Sequence, residues 1–402
     1  MLKRAILVTY PEDFTKREAL GLAEAAGYSV AKVVTQKALR RSEYGVGSGK
    51  AQEIARIAEE EKTDTVIVDE RLSSSQAHNL AKLTHQNVID RERLILDIFY
   101  SRASTAEAKL QVQLAELKYE IPRAREAVRL SLKGEQAGFM GMGEYAVDVQ
   151  FRALKKRMTM LQKKLEQARR RRELFRESRL RLELPFISLA GYTSSGKTTL
   201  FNRFVSERKE ESPKLFTTLT TTTRSFEPLT GRKALLSDTV GFISRLPAYM
   251  IEAFKSTLEE LEHADLILLM LDVSEPLDEI NTKYESCIST LEQLHINPAK
   301  IIVVLNKLDI ASAENLLETR KRIVKDLPSI GVSARTGEGM ERLRSLIANR
   351  VFPDLTPVEE GGELKQPSLE QQMEIEETTR TEIVKSLDIG HPLTSKKTTT
   401  ND

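Results

Sequence analysis

One segment in the second half of the chain has the residue types and spacing that hold phosphate groups. It runs Gly191-Tyr192-Thr193-Ser194-Ser195-Gly196-Lys197-Thr198 and continues with Thr199. The apolar run FISLA precedes it and the helix-forming run TTLFNRF follows, as a phosphate loop requires. Its glycines let backbone amides point at phosphate oxygens at a helix amino terminus. Lys197 is expected to contact the β- and γ-phosphates and Thr198 to bind Mg²⁺. The alternative is a plain glycine turn before a helix.

A second glycine-rich string, from Gly45 to Lys50, looks similar but has the wrong spacing. The residue five positions before Gly49 is Tyr44, and Lys50 is followed by Ala51 where Ser or Thr is needed. We interpret this string as a turn before a helix, with a phosphate or RNA contact as the alternative.

A candidate magnesium segment follows the apolar run ALLSD. It consists of Asp238, Thr239, Val240 and Gly241. Asp238 is expected to hold Mg²⁺ through a water molecule, and Gly241 to turn its amide toward the γ-phosphate. The pattern D-x-x-G is weak alone. Here it gains weight because it follows a strand and comes after the phosphate loop.

A threonine-rich segment lies between these two motifs and is a candidate switch. It begins at Phe216 and includes Thr217 and Thr218. We expect Thr218 to complete the Mg²⁺ coordination only when the γ-phosphate is bound, with Thr217 as the second choice. The alternative is a plain strand-forming segment, because threonine favours strands.

A third motif has the chemistry of a guanine reader. Asn306, Lys307, Leu308 and Asp309 follow the apolar run IIVVL. The Asp309 carboxylate can accept from both guanine donors, N1–H and the 2-amino group, whereas adenine has no such pair. Leaving that carboxylate unpaired is costly, which gives discrimination. Asn306 is expected to brace the loop and the Lys307 stem to cover the base.

A later loop completes the predicted base site. It contains Ser333, Ala334 and Arg335, after the run IGV, and one of its backbone amides is expected to meet guanine O6. The linked motifs predict a GTPase that binds GTP and GDP with Mg²⁺. Lys197, Thr218 and Gly241 are the candidate catalytic residues.

Many related GTPases orient the attacking water with a glutamine after D-x-x-G. Phe242 stands there and cannot do so. Another switch residue, a bound cation or a partner is expected to position the water, and slow intrinsic turnover is expected.

Alternating apolar runs and amphipathic stretches indicate how these motifs are positioned. Candidate strands at 186–190, 234–237, 266–271 and 301–305 predict a doubly wound, mostly parallel α/β sheet. Candidate strands at 5–8, 30–34 and 66–68, with helices between them, predict a second, small α/β unit.

Two apolar stripes at the spacing of a coiled coil connect these units. They lie at 110, 114, 117, 121, 124 and 128, and at 151, 154, 158, 161, 165 and 168. Gly134, Gly138, Gly141 and Gly143 between them predict a hairpin tip, and Pro122 a kink. The predicted domains are a small α/β domain at 1–102, an antiparallel helical hairpin at 103–183, a GTPase domain at 184–353 and a mobile tail at 354–402.

Composition limits the class of protein. The formal net charge is only +2, and the single cysteine, Cys287, excludes an intrachain disulfide and fits a reducing cytoplasm. No apolar run approaches about 18 residues, so no membrane span is expected. A monomer is the expected oligomeric state.

The arm from Arg152 to Arg181 carries thirteen Lys or Arg and three Glu, a net charge of +10. Such an arm suits an RNA backbone, with a solvated coiled-coil face as the alternative.

The chain resembles the HflX family of translational GTPases over about 350 residues. The likeness lies in YGVGSGKAQEI, VIDRERLILDIF, STAEAKLQVQLAELKYEIPR, GYTSSGKTTLFN, DTVGFISRLP, IEAFKSTLEE and NKLD. The resemblance implies binding to the large ribosomal subunit and its RNA, and splitting or rescue of stalled ribosomes, with the hairpin reaching the ribosome's functional centre. A GTP-locked binding module, or a signalling GTPase whose coiled coil docks a protein, is the alternative.

Three positions depart from the pattern of that family. Ser194 replaces a frequent asparagine that can help to hold potassium, and Thr220-Thr221 replaces a frequent Asp-Pro in the first switch. The tip segment from Met140 to Tyr145 lacks the family's arginine and proline. Tip contacts made by relatives are therefore not transferred to this chain.

Overall fold

The amino-terminal part of the computed structural model is a four-stranded parallel sheet with order β2-β1-β3-β4. The structure describes residues 3–39, 43–134, 142–181, 184–205, 216, 221–229 and 231–353. The strands of this first sheet are β1 (Lys3–Thr9), β2 (Tyr28–Thr35), β3 (Thr65–Val68) and β4 (Asn87–Asp90). Its helices are α1 (Asp13–Ala25), α2 (Ser48–Glu61), α3 (Ser74–Thr84) and α4 (Arg91–Arg102).

This sheet is covered on both faces, as its sequence requires. Ala5, Ile6, Leu7 and Val8 are completely buried. Continuous apolar strands of this kind belong to parallel sheets with helices on both sides. The string from Gly45 leads into α2, which begins at Ser48, so our interpretation of it as a turn before a helix is confirmed.

Two long helices occupy the segment predicted to be a hairpin: α5 (Ala106–Gly134) and α6 (Met142–Arg181). They pack on each other, and the Arg125 guanidinium lies 4.3 Å from the centre of the Phe151 ring. Pro122 lies inside α5, which continues through it. The predicted tip at 135–141 lies outside the described residues.

The second half of α5 is tied to the small α/β unit. Arg123 donates to the Leu72 carbonyl oxygen at 2.6 Å and forms an ion pair with Asp90. The Ser74 amide donates to Glu126 at 3.0 Å. These contacts hold α5 against the small α/β unit as far as Glu126.

The second sheet has six strands in the order β10-β9-β8-β5-β7-β6. They are β5 (Phe186–Gly191), β6 (Thr222–Leu229), β7 (Arg232–Asp238), β8 (Leu266–Asp272), β9 (Ile301–Asn306) and β10 (Ser329–Gly331). Only the β6–β7 pairing is antiparallel among these described strands. The helices are α7 (Lys197–Phe204), α8 (Ala248–Ala253), α9 (Lys255–Glu262), α10 (Leu277–Gln293), α11 (Ala313–Glu318) and α12 (Met340–Val351).

The predicted α/β fold is confirmed, and its strand order explains where ligands bind. In this sheet, β7 lies on one side of β5, and β8 followed by β9 lies on its other side. Loops that leave the carboxyl ends of such strands diverge and leave a crevice between them. The three motifs of the sequence analysis leave β5, β7 and β9 at this edge.

The small α/β unit and the second sheet share one hydrophobic core. The Phe99 ring of α4 packs edge-on against Phe216, at 4.8 Å between centroids, and against Phe254, at 4.6 Å. None of the helices in the described ranges is long and apolar enough to cross a membrane.

Candidate functional site

The phosphate-loop motif curls between β5 and α7, and its two glycines are sterically required. Gly191 has φ +142° and Gly196 φ +95°, both in the region that disfavours other residues. A Cβ on Gly191 would lie 2.5 Å from the Met270 carbonyl oxygen, and one on Gly196 would lie 2.2 Å from Nδ2 of Asn306. Any side chain at either position would push the loop away from β8 or β9.

Lys197 is the first residue of α7, and its ammonium group lies inside the loop. Nζ donates to the Gly191 carbonyl oxygen at 3.0 Å and to that of Tyr192 at 2.8 Å. Burial lowers its pKa to about 8, although the Asp238 charge acts in the opposite direction. A buried cation is thus held by carbonyl groups at the concave side of the loop.

Thr198 and Asp238 meet beside this lysine although they are forty positions apart. The Thr198 hydroxyl donates to Oδ2 of Asp238 at 3.0 Å. Asp238 is completely buried at the end of β7. A hydroxyl next to a carboxylate is the oxygen donor set that Mg²⁺ prefers, so the residues present fit that ion.

The segment after Asp238 lies directly on the phosphate loop. The Thr239 hydroxyl donates to the Leu189 carbonyl oxygen at 2.5 Å. The Phe242 amide donates to the Gly191 carbonyl oxygen at 3.0 Å, and the Thr193 amide donates to the Phe242 carbonyl oxygen at 2.8 Å. Both backbone groups of Phe242 are therefore bound to the loop.

Glycine is also required at position 241. A Cβ there would lie 2.8 Å from Cγ2 of Thr193 and 3.1 Å from Nζ of Lys197. The backbone of Gly241 consequently packs against the ammonium group. The next residue, Phe242, is buried, with 2% of its surface exposed.

The predicted guanine motif is joined to the phosphate loop by Asn306. Its Nδ2 donates to the Ser195 carbonyl oxygen at 2.8 Å, and its Oδ1 accepts from the Ala334 amide at 2.9 Å. Asp309 accepts from the Ser333 hydroxyl at 2.6 Å. The structure thus brings the two predicted halves of the base site together.

The neighbours of Asn306 are held as well. Lys307 has φ +70° and forms an ion pair with Asp272 at the end of β8. The Leu308 amide donates to the Val332 carbonyl oxygen at 3.2 Å. The Arg335 carbonyl oxygen accepts from Arg203 of α7. Each contact ties the base loop to a strand or helix of the same domain.

Some predicted site residues lie elsewhere. Thr217 and Thr218 lie outside the described residues, so the predicted switch ligand stays a prediction. Phe216 is 2% exposed and packs on Phe99, while Ser194 is exposed at φ +63°. The Tyr192 side chain points away from the loop's concave side, because its hydroxyl donates to Glu18 of α1.

Glu18, Arg91 and Ser244 form a second group of contacts that the sequence analysis did not single out. They are too far apart in the chain to form a motif. A weak signal existed, because Arg91 lies in VIDRERLILDIF and Ser244 in DTVGFISRLP, two strings noted only for their family likeness.

Comparison with known proteins follows the same division of the chain. Residues 15–100 match the family model described as GTP-binding GTPase N-terminal, 102–179 that of GTP-binding GTPase Middle Region, and 186–307 that of 50S ribosome-binding GTPase. Among solved structures, a GTP-binding protein from Sulfolobus solfataricus in complex with GDP is 27% identical, with a TM-score of 0.47, covering 88% of this chain and 100% of that one.

Full-length relatives are similar over most of their length. GTPase HflX of Thermococcus kodakarensis is 41% identical over 348 residues, which is 85% of this chain and 78% of that protein. GTPase HflX of Escherichia coli is 35% identical over 346 residues, which is 85% and 79% respectively. The chain therefore belongs to the HflX family of GTPases, which hydrolyse GTP to GDP.

Proposed function

We propose that GTP and GDP bind with Mg²⁺ in the crevice at the carboxyl ends of β5, β7 and β9. One observation carries this proposal: Lys197, Asp238 and Asn306 come from separate motifs but converge on one loop through direct contacts. The proposed nucleotide contacts are Gly191, Thr193, Ser194, Ser195, Gly196, Lys197, Thr198, Thr199, Thr217, Thr218, Asp238, Thr239, Val240, Gly241, Asn306, Lys307, Leu308, Asp309, Ser333, Ala334 and Arg335. The side chains of Tyr192 and Phe216 are left out, because they contact Glu18 and Phe99 instead.

The phosphate end of the nucleotide would lie at the amino terminus of α7. Lys197 contributes positive charge there, and the helix terminus adds a favourable field. Thr198, Asp238 and Thr218 would hold Mg²⁺, which neutralises charge on the β- and γ-phosphates. Burial makes the Lys197 charge costly until a phosphate accompanies it, which favours a nucleotide over water.

The guanine end would lie against Asp309. The Ser333 hydroxyl fixes one oxygen of this carboxylate at 2.6 Å, so its orientation is set before the base arrives. Asn306 keeps the base loop at a fixed distance from the phosphate loop. This fixed separation lets one nucleotide contact both loops at once, while Asp309 provides the preference for guanine.

Hydrolysis by the isolated protein should be slow. The Phe242 ring is buried and its backbone amide and carbonyl are bound to the phosphate loop, so this residue cannot orient water. Gly241, which packs on Lys197, remains the proposed contact to the γ-phosphate. Of the three sources of water positioning left open, another switch residue, a bound cation or a partner, we propose a partner that repositions this segment.

We propose that the partner is the large ribosomal subunit and its RNA. The helix α6 exposes cations along one arm, including Lys156, Lys163 and Lys164. The matched family of residues 186–307 is described as ribosome-binding, which supports this choice over a protein partner. On this view the protein is a cytoplasmic monomer that splits or rescues stalled ribosomes. Its proposed domains are 1–102, 103–183, 184–353 and 354–402.

Sedimentation with ribosomal subunits tests the proposal. With a non-hydrolysable GTP analogue, the protein should pellet with 50S subunits at low salt and dissociate as salt rises. Phosphate release should increase when 50S subunits are added. Failure to pellet under any condition, with hydrolysis intact, would instead indicate a signalling GTPase that docks a protein. Pelleting without stimulated hydrolysis would indicate a GTP-locked binding module.

A further inference from the structure

A polar cluster with a buried centre crosses from the small α/β unit to the nucleotide site: Glu18, Asp69, Arg91 and Tyr192 are buried, whereas Ser244 is half-buried and Arg245 is exposed. We name it the domain latch. It consists of Glu18, Asp69 and Arg91 from the amino-terminal side and Tyr192, Ser244 and Arg245 from the GTPase side. Buried charges are expensive unless they are paired, so such a cluster holds its members in one arrangement.

Arg91 is the centre of the latch and is 3% exposed. Its guanidinium donates to Asp69 at 2.5 Å and to Glu18 at 2.7 Å. It also donates to the Ser244 carbonyl oxygen at 2.8 Å, across the domain boundary. One rigid cation therefore connects two carboxylates of the first sheet region to the segment that follows Gly241.

Glu18 connects the same segment to the phosphate loop. It accepts from the Tyr192 hydroxyl, from the Ser244 hydroxyl and from the Ser244 amide at 3.1 Å. Burial would raise the pKa of Glu18, but the Arg91 charge and the hydrogen bonds from Ser244 and Tyr192 outweigh it and lower the pKa. The carboxylate is thus charged and fully occupied.

Arg245 adds a second ion pair beside this contact. It donates to Oδ2 of Asp69 at 2.8 Å and to the Asp69 carbonyl oxygen at 3.2 Å. Its φ of +51° is unfavourable for a side chain of this size. The guanidinium contacts to Asp69 help to hold the residue in that conformation.

The latch and the phosphate site share one short segment. Phe242 is bound to the phosphate loop through both backbone groups, and Ser244 is bound to Glu18 and Arg91 only two residues later. Gly241 meanwhile packs against the Lys197 ammonium. A phosphate bound between Lys197 and the Gly241 amide would compete for the space that Gly241 takes beside the ammonium group. Displacing residues 241–242 would also displace Ser244 and its contacts to Glu18 and Arg91.

We propose that Glu18 and Arg91 of the amino-terminal domain are positioning residues for the nucleotide, which hold residues 241–245 down on the phosphate loop and so disfavour GTP relative to GDP. This inference rests on the proposed phosphate site. It follows that GTP binding loosens the contact between the two domains. By reciprocity, a partner that separates the domains raises the affinity for GTP by the same factor.

Two variants test the latch from opposite sides. Glu18→Gln keeps the shape of the side chain but removes the charge that pairs with Arg91. Tyr192→Phe keeps the ring in the loop but removes the hydroxyl that donates to Glu18. Glu24→Gln is the matched control, because Glu24 lies exposed on the same helix α1. Dissociation constants for GDP and for a non-hydrolysable GTP analogue are measured in the full chain by calorimetry.

The expected result is a change in the preference between GDP and the GTP analogue, not a general loss of nucleotide binding. In both variants the ratio of the GDP to the GTP-analogue dissociation constant should rise by at least about fivefold, the low end of typical allosteric couplings. The control should keep the wild-type ratio. In steady-state assays the KM for GTP should fall while the inhibition constant of GDP stays constant. The double variant should show less than the product of the two single effects, because both remove the same contact.

Three outcomes would overturn the proposal. An unchanged ratio in variants that melt cooperatively means that the latch does not act on the nucleotide. An equal weakening of GDP and of the GTP analogue means that Glu18 has only a structural role. If the wild-type chain binds neither nucleotide, the proposed phosphate site itself fails and the latch fails with it, which separates this case from the other two.

Discussion

The Asn306 side chain joins the base loop to the phosphate loop through a 2.8 Å hydrogen bond from its Nδ2 to the Ser195 carbonyl oxygen. Its Oδ1 at the same time accepts from the Ala334 amide at 2.9 Å. One buried amide thus connects three loops that leave different strands. This connection, more than any single ligand contact, sets the distance between the predicted phosphate and guanine sites.

The first prediction concerns this connection. Asn306→Ala should weaken GTP and GDP together, by roughly tenfold to a hundredfold, because both loops lose their common support. It should also lower the free energy of unfolding by about 1–3 kcal/mol, since a buried carbonyl and a buried amide lose their partner. Calorimetry and thermal melts measure the two effects. Asn281→Ala, on α10, is the control and should match wild type; selective loss of one nucleotide in Asn306→Ala would contradict the bracing role.

The second prediction concerns the phosphate loop. Lys197→Ala should abolish tight binding of both nucleotides, because the only ammonium group that the described residues place inside the loop is removed. Thr198→Ala should instead weaken binding chiefly when Mg²⁺ is present. Titration with and without EDTA separates the two effects. Near-native affinity in Lys197→Ala would show that the phosphates bind elsewhere.

The third prediction concerns the choice of base. Asp309→Asn should move the preference from guanine toward xanthine nucleotides, since an amide can donate to the xanthine 2-oxo group whereas a carboxylate only accepts. Competition between GTP and XTP measures the preference. Asp278→Asn, exposed on α10, should leave it unchanged. A wild-type ratio in Asp309→Asn would mean that another group reads the base.

Most of the candidate site could be predicted from motifs, because binding phosphate requires particular residues at fixed spacing along the chain. The loop from Gly191 to Thr198 could be located from the sequence alone, since only glycine fits at Gly191 and Gly196. The sequence also predicted the two sheets, because their strands are continuous apolar runs. It did not predict β4, which is only four residues long. It also did not predict most of β6, because polar residues interrupt the apolar pattern there.

The domain latch could not be predicted in the same way. Its contacts depend on where the small α/β unit docks, and no local pattern encodes docking. Glu18 and Ser244 are 226 positions apart, and each looks like an ordinary surface residue in its own helix or loop. Only the three-dimensional structure shows that Glu18 is buried against the phosphate loop.

The last prediction concerns the basic arm of the hairpin. Lys156, Lys163 and Lys164 are exposed on α6, so their side chains can be changed without disturbing the apolar stripe that buries Leu161. Arg169 is a poorer choice, because it lies 3.6 Å from Glu259 of α9 and its loss would also affect packing on the GTPase domain. The triple change of the lysines to Glu is therefore the sharper variant.

This triple variant should keep its affinity for GTP, because the arm lies away from the loops at β5, β7 and β9. Its affinity for 50S subunits should fall by a large factor, and the slope of log K against log salt should decrease by about 2 to 3, since about three phosphate contacts are lost. Stimulated hydrolysis should fall in step, because Phe242 itself does not orient water and the proposed stimulation depends on the bound subunit. Three exposed lysines of the GTPase domain, Lys233, Lys321 and Lys325, changed to Glu together, give a control of equal charge. If both triple variants sediment alike at every salt concentration, the arm is only a solvated face of the coiled coil, and the ribosome contact lies on another surface.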